Sequence, residues 1–194
     1  MININKFPVI IFAGARTGSS ALGEYISKKY NLVYFNEPDM RPDSWMIDFI
    51  NYSQTSNSYI VKLMGDRIIG DYYPPDIIKK ILSDNCYRIK ISRKNKVEQI
   101  ASFYIAKARD RWVYTTHSCN EYEVFQTNPV TILNDDIKFA VTYLDKQQKI
   151  LDGIESDILL YYEDLPILDT SYDKTPQPSN YIDLIEAIKK FKLE

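Results

Sequence analysis

Five short runs of apolar, largely β-branched and aromatic residues punctuate this chain: "PVIIFA" (8–13), "NLVYF" (31–35), "SYIVKLM" (58–64), "CYRIKIS" (86–92) and "DILLYY" (157–162). Their greasiness is continuous rather than alternating, which predicts strands covered on both faces, as in a parallel sheet. Helical patterns lie between them. Leu22, Tyr25, Ile26 and Tyr30 share a face, and "PPDIIKKILSD" opens on prolines suited to a first turn. Val97, Ile100, Ala101, Tyr104, Ile105 and Ala108 form an apolar stripe, as do Ile137, Ala140, Val141, Leu144 and Leu151. Strands alternating with helices predict an α/β fold with a central parallel sheet flanked by helices and joined by right-handed crossovers. The 194 residues fit one domain, 1–194, with no repeat, linker or low-complexity segment. In such sheets ligands gather at the carboxyl ends of the strands.

Charge and cysteine usage narrow the function classes. A net charge of -2 argues against broad nucleic-acid binding, which needs a large basic surface. Cys86 and Cys119 stand far apart without CxxC spacing, so neither a zinc site nor a disulfide framework is expected, and a reducing, cytoplasmic setting is. The early apolar run Val9 to Ala13 is too short for a signal-peptide core or a membrane span. A soluble protein with no membrane partner is the expectation. From 112 to 134 the sequence keeps no period and mixes aromatic with polar residues; so long a connection is read as a substrate-side loop.

The first strand runs into "GARTGSSAL" and then a helix. Backbone N–H groups of such a turn converge on one concavity, and the helix dipole adds positive potential. Gly14 and Gly18 let the chain bend around an oxygen cluster, Thr17, Ser19 and Ser20 add hydroxyls, and Arg16 adds a forked permanent charge. The bland alternative is a tight turn capped by serine. A Walker loop reads GxxxxGK[ST]; here the glycine interval is one residue short and Ser19 stands where lysine should follow, which speaks against an ATP-dependent kinase.

"ARTGSS" resembles the 5′-phosphosulfate loop of sulfotransferases that use 3′-phosphoadenosine 5′-phosphosulfate (PAPS), with Arg16 in the basic position. "RIKISRKNKVEQIASFYIAKARDRW" (88–112) resembles the strand and helix that hold the donor's 3′-phosphate, and its spelling is similar to the trehalose 2-sulfotransferase-like branch of that family. Asn95, Gln99, Ser102 and Arg109 fall on a polar stripe of that helix, while the apolar stripe is expected to face the sheet. Ser102 and either Arg93 or Lys94 are the implied 3′-phosphate ligands. Lys94 has the register of many sulfotransferases, and Arg93 is preferred for its bidentate geometry. "LLYYEDL" (159–165) resembles the late sheet strand, with a mainly structural role, and Lys174 lies in a tail that resembles the family's closing segment. The resemblance implies a three-layer P-loop-type fold, PAPS as sulfuryl donor with PAP as product, no metal, and a hydroxyl acceptor that is a carbohydrate or small molecule.

An acceptor hydroxyl needs a base. The histidine that cytosolic sulfotransferases carry after the third strand is replaced here by Met64 in "VKLMGD". The resemblance to the trehalose 2-sulfotransferase-like branch instead implies Glu37 in "LVYFNEPDM" as general base, with Asp39 a poorer substitute. Lys62 interrupts an apolar strand; either it approaches the sulfate or supports the base, or its long stem snorkels to water. His117, the only histidine, and Trp112 sit in the irregular segment and are weaker substrate contacts. Two other classes stay open: a non-catalytic nucleotide-binding module of the same fold, and a compact P-loop kinase.

Overall fold

The computed structural model describes residues 3–37, 45–69, 79, 82, 85–109, 128–165 and 177–193. All five apolar runs form strands: β1 (Val9–Ala13), β2 (Val33–Asn36), β3 (Tyr59–Met64), β4 (Tyr87–Ser92) and β5 (Ile158–Tyr161). They make one sheet in the order β2-β3-β1-β4-β5, and every pairing is parallel. The most apolar strand is therefore the central one. Ala13 pairs with Met64 on one side and Ile91 on the other, so β1, β3 and β4 end level. The loop after β1 opens between its two neighbours' exits.

The helices are α1 (Ser19–Tyr30), α2 (Trp45–Thr55), α3 (Gly65–Ile69), α4 (Lys96–Ala108), α5 (Asn134–Asp152) and α6 (Tyr181–Leu193). Alternation along the strands distributes them into layers. Val9, Ile11, Ala13, Ile60, Ile89 and Ile91 pack on one face against Ala21, Leu22 and Ile26 of α1. Ile10, Phe12, Val61 and Leu63 pack on the other against Phe49 of α2 and Leu151 of α5. Phe35, Phe49 and Tyr59 meet edge to face, Phe49 lying 5.1 Å from Phe35 and 5.5 Å from Tyr59. Helices on both faces of a parallel sheet make this a three-layer α/β architecture.

Two expectations need correction. Continuous apolar runs do not mean two covered faces at the edges: Val33 of β2 is 41% exposed and Leu159 of β5 46%. An edge strand has one neighbour, and the helices cover it only in part: Phe35 of β2 packs against Phe49 of α2, while Val33 stays open. The apolar stripe of α4 does not face the sheet either. Ile100, Ala101, Tyr104 and Ile105 pack against Ile137, Ala140 and Leu144 of α5 and Leu184 and Ile188 of α6. That leaves the polar stripe of α4 to meet the loop after β1.

Helix α5 begins at Asn134, and the preceding 128–133 is irregular but pinned. The Tyr104 hydroxyl donates to Thr131 O (2.6 Å) and accepts from Leu133 N (2.9 Å), while the Asn180 amide bonds Val130 in both directions. Residues 112–127, and most of "PPDIIKKILSD", lie outside the described residues. Among the described residues, no helix is long and apolar enough to cross a membrane.

Candidate functional site

Between β1 and α1 the backbone turns through two left-handed residues, Arg16 (φ 61°) and Gly18 (φ 74°). Glycine adopts such a φ freely, whereas arginine does so at a cost that surrounding contacts must offset. Gly18 is the N-cap of α1; no side chain caps it, and no acid stands in the first turn. The turn is thus not the serine-capped one of the bland alternative. The positive end of α1 is left to the loop concavity. Thr17 is buried, and its hydroxyl donates to Gly14 O (2.9 Å), so its proton closes the loop instead of pointing outward. Ser19 is buried and Ser20 half-buried.

Arg16 meets the second segment directly. Its Nε donates to Ser102 Oγ at 2.9 Å. Arg93 reaches the same loop residue from β4's end, its Nη1 donating to Arg16 O at 3.4 Å. The Arg93 guanidinium stacks 4.8 Å over the Tyr162 ring and pairs with Glu98 (3.1 Å) and Glu163 (3.6 Å). Lys94, by contrast, extends to Asp164 at 2.6 Å on an exposed flank. The structure thus joins Arg16, Ser102 and Arg93, and turns Lys94 away. Glu163, in the turn after β5, accepts from the backbone N–H groups of Lys94 (2.9 Å) and Asn95 (3.0 Å). Burial raises the Glu163 carboxyl, yet these amide bonds and Arg93 outweigh it and leave it below its ordinary value.

A second cluster forms where β2 and β3 end. Lys62 is buried, pairs with Glu37 Oε1 at 2.5 Å and donates to Ser20 Oγ at 2.8 Å. Arg67 of α3 stands 3.9 Å from the other Glu37 oxygen. Glu37 itself has a left-handed φ of 52° and is tied to β3 by its N–H, which donates to Lys62 O (3.2 Å). The Lys62 side chain does not snorkel to water: it is buried, and its ammonium pairs with the partly exposed Glu37 carboxylate. Burial pushes the Lys62 ammonium down, and Glu37 pulls it part of the way back. Tyr34 lies against the backbone of Gly23, where no other side chain would fit, and its hydroxyl donates to Asn36 Oδ1 (3.2 Å). Burial, with Glu37 next, raises its phenol well above the ordinary range.

The two clusters share the 16–20 loop: Arg16 belongs to one and Ser20 to the other. Together they gather Arg16, Arg93, Lys62 and Arg67 with the carboxylates of Glu37, Glu98 and Glu163 around a helix N-terminus, a set of groups suited to an oxyanion next to a hydroxyl that must lose a proton. Asp39, Trp112, His117 and Lys174 lie outside the described residues. Among the described residues, no group of three or more His, Cys, Asp or Glu could hold a metal ion.

Sequence reasoning missed four participants. Arg67 and Tyr34 carry no local signal, and Glu163 reaches the site from 69 positions away. Gln147, whose Oε1 accepts from the loop's Ala15 N at 2.7 Å, did have a signal: it is a lone amide on the apolar stripe of α5, between Leu144 and Leu151. No known protein family matches the chain, and no curated protein matches its sequence.

Proposed function

We propose that this chain is a PAPS-dependent sulfotransferase of P-loop-type fold that transfers the sulfuryl group to a hydroxyl of a carbohydrate or small molecule. The observation that carries the reading is the contact of Arg16 Nε with Ser102 Oγ, which joins the two segments that resemble the donor's 5′-phosphosulfate and 3′-phosphate sites. Support comes also from α1, whose N-terminus lacks a side-chain cap and an acid in its first turn, and so is not neutralised by its own chain. The loop amides and Arg16 are suited to hold the 5′ oxygens, and Arg93 with Ser102 the 3′-phosphate.

Bound there, PAPS supplies a sulfur electrophile with PAP as its leaving group. In-line displacement breaks the bond from sulfur to the 5′-phosphate oxygen and forms one to the acceptor oxygen. Charge grows on the equatorial and leaving oxygens, and the protein contributes by positioning and stabilising that charge. Arg16 faces the leaving oxygens, Lys62 and Ser20 the transferred group, and Glu37 takes the acceptor's proton. Lys62 and Arg67 hold the Glu37 carboxylate in one orientation.

One observation favours a second reading. The Glu37 carboxylate is already engaged by Lys62 and Arg67 rather than open to an acceptor, which fits a nucleotide-binding module that does not turn over. Incubation of radiolabelled PAPS with a panel of sugars and small hydroxyl compounds separates the two. Transfer of label with stoichiometric PAP release supports the enzyme; tight PAP binding without release on any acceptor supports the module.

A further inference from the structure

Gln147 has no part in the chemistry above, yet it is 1% exposed on the apolar stripe of α5. A buried primary amide is tolerated only where its donors and acceptor find partners. Its Oε1 accepts from Ala15 N at 2.7 Å, and its Nε2 donates to Tyr143 OH at 3.0 Å. From α4, Gln99, also buried, donates its Nε2 to Ala15 O at 2.8 Å and accepts from Lys96 Nζ at 3.2 Å. These partners fix which end of each amide is oxygen. Two helices therefore grip the N–H and the C=O of one residue, the one that precedes the left-handed Arg16.

We infer that Gln147 is the positioning residue of the anion loop: with Gln99 it fixes the peptide planes on both sides of Ala15 and so aims the amides and side chain of the strained Arg16 at the 5′ oxygens. Residue type matters at this position. A glutamate could accept from Ala15 N equally well, but would set a negative charge beside an anion site. A leucine would pack and leave the Ala15 N–H buried without that partner. Only a neutral amide accepts from the loop and donates to Tyr143 without cancelling the positive potential.

The inference rests on the donor reading for its ligand but not for its geometry, and the test separates the two. Gln147→Met and, as a milder variant, Tyr143→Phe are compared with wild type in the full chain. Calorimetry uses PAP and adenosine 3′-phosphate, which lacks the 5′ group; amide hydrogen exchange reads the loop. Gln147→Met is expected to weaken PAP about fivefold to tenfold, to leave adenosine 3′-phosphate unchanged, and to speed exchange at Ala15. Tyr143→Phe should show the same pattern, smaller. Equal loss for both nucleotides, or unchanged PAP affinity in a folded variant, overturns the inference. If wild type binds no PAP, the donor reading fails and exchange alone decides: unchanged protection at Ala15 in either variant then overturns the positioning role.

Discussion

Arg16 and Ser102 are 86 positions apart in the chain and 2.9 Å apart between Nε and Oγ. The contact exists because β1 and β4 are sheet neighbours that end level, so that the loop after one meets the helix after the other. It uses the Nε donor of the Arg16 fork. Truncation of Arg16 to alanine should weaken PAP by about 1.5–3 kcal/mol, the range for a hydrogen bond to a charged group. Ser102→Ala should cost about 0.5–1.5 kcal/mol, with the fold intact. Calorimetry on both variants checks the ranking, and a larger loss at Ser102 than at Arg16 would contradict it.

The Glu37–Lys62 pair separates stability from turnover. Glu37→Gln removes the base and should lower transfer by about 100-fold to 10,000-fold. It also leaves Lys62 buried beside a neutral amide, which should cost about 3 kcal/mol of stability. Adding Lys62→Met removes the buried charge. The double variant should recover much of that stability in urea unfolding while transfer stays lost. Recovered transfer would exclude Glu37 as base.

Glu163 predicts a pH dependence. Its carboxyl lies below the ordinary glutamate value of 4.5 in the folded protein, so it contributes stability above that value and loses it as pH falls through its folded pKa. Glu163→Gln should be less stable than wild type at neutral pH, by about 1 kcal/mol for so accessible a group. The gap should close in strong acid. Urea midpoints at neutral and acid pH measure it, and a gap independent of pH would contradict the charge-based explanation.

Gly23 and Tyr34 predict a coupled pair. A Cβ at Gly23 would overlap the Tyr34 ring, so Gly23→Ala should destabilise by about 1–3 kcal/mol. In a Tyr34→Ala background the same change should cost far less, because the obstructing ring is gone. Thermal unfolding of the four proteins gives the coupling directly; additive losses would contradict the close approach.

The strands were legible because fully apolar segments of that length leave few alternatives, and β1, the greasiest, is the central strand. Their edge positions were not, since Val33 and Leu159 look the same in sequence whether covered or exposed. Helices α2 and α6 went unannounced, although Leu184, Ile185 and Ile188 carry the spacing. The anion loop was legible because Gly14, Arg16 and Gly18 are adjacent in sequence. Its supports were not, because Gln147, Glu163 and Lys62 act through contacts set by the fold. Lys62 was visible as an anomaly in an apolar strand, and support of the base, Glu37, was one of the readings its sequence context allowed.

Calorimetry with PAP and with ATP and magnesium, side by side on the full chain, tests the central claim most directly. A donor site built from the 16–20 loop, Ser102 and Arg93 predicts PAP binding at least about tenfold tighter than ATP, a difference of about 1.4 kcal/mol. Equal affinity, or tighter binding of magnesium ATP, would contradict it.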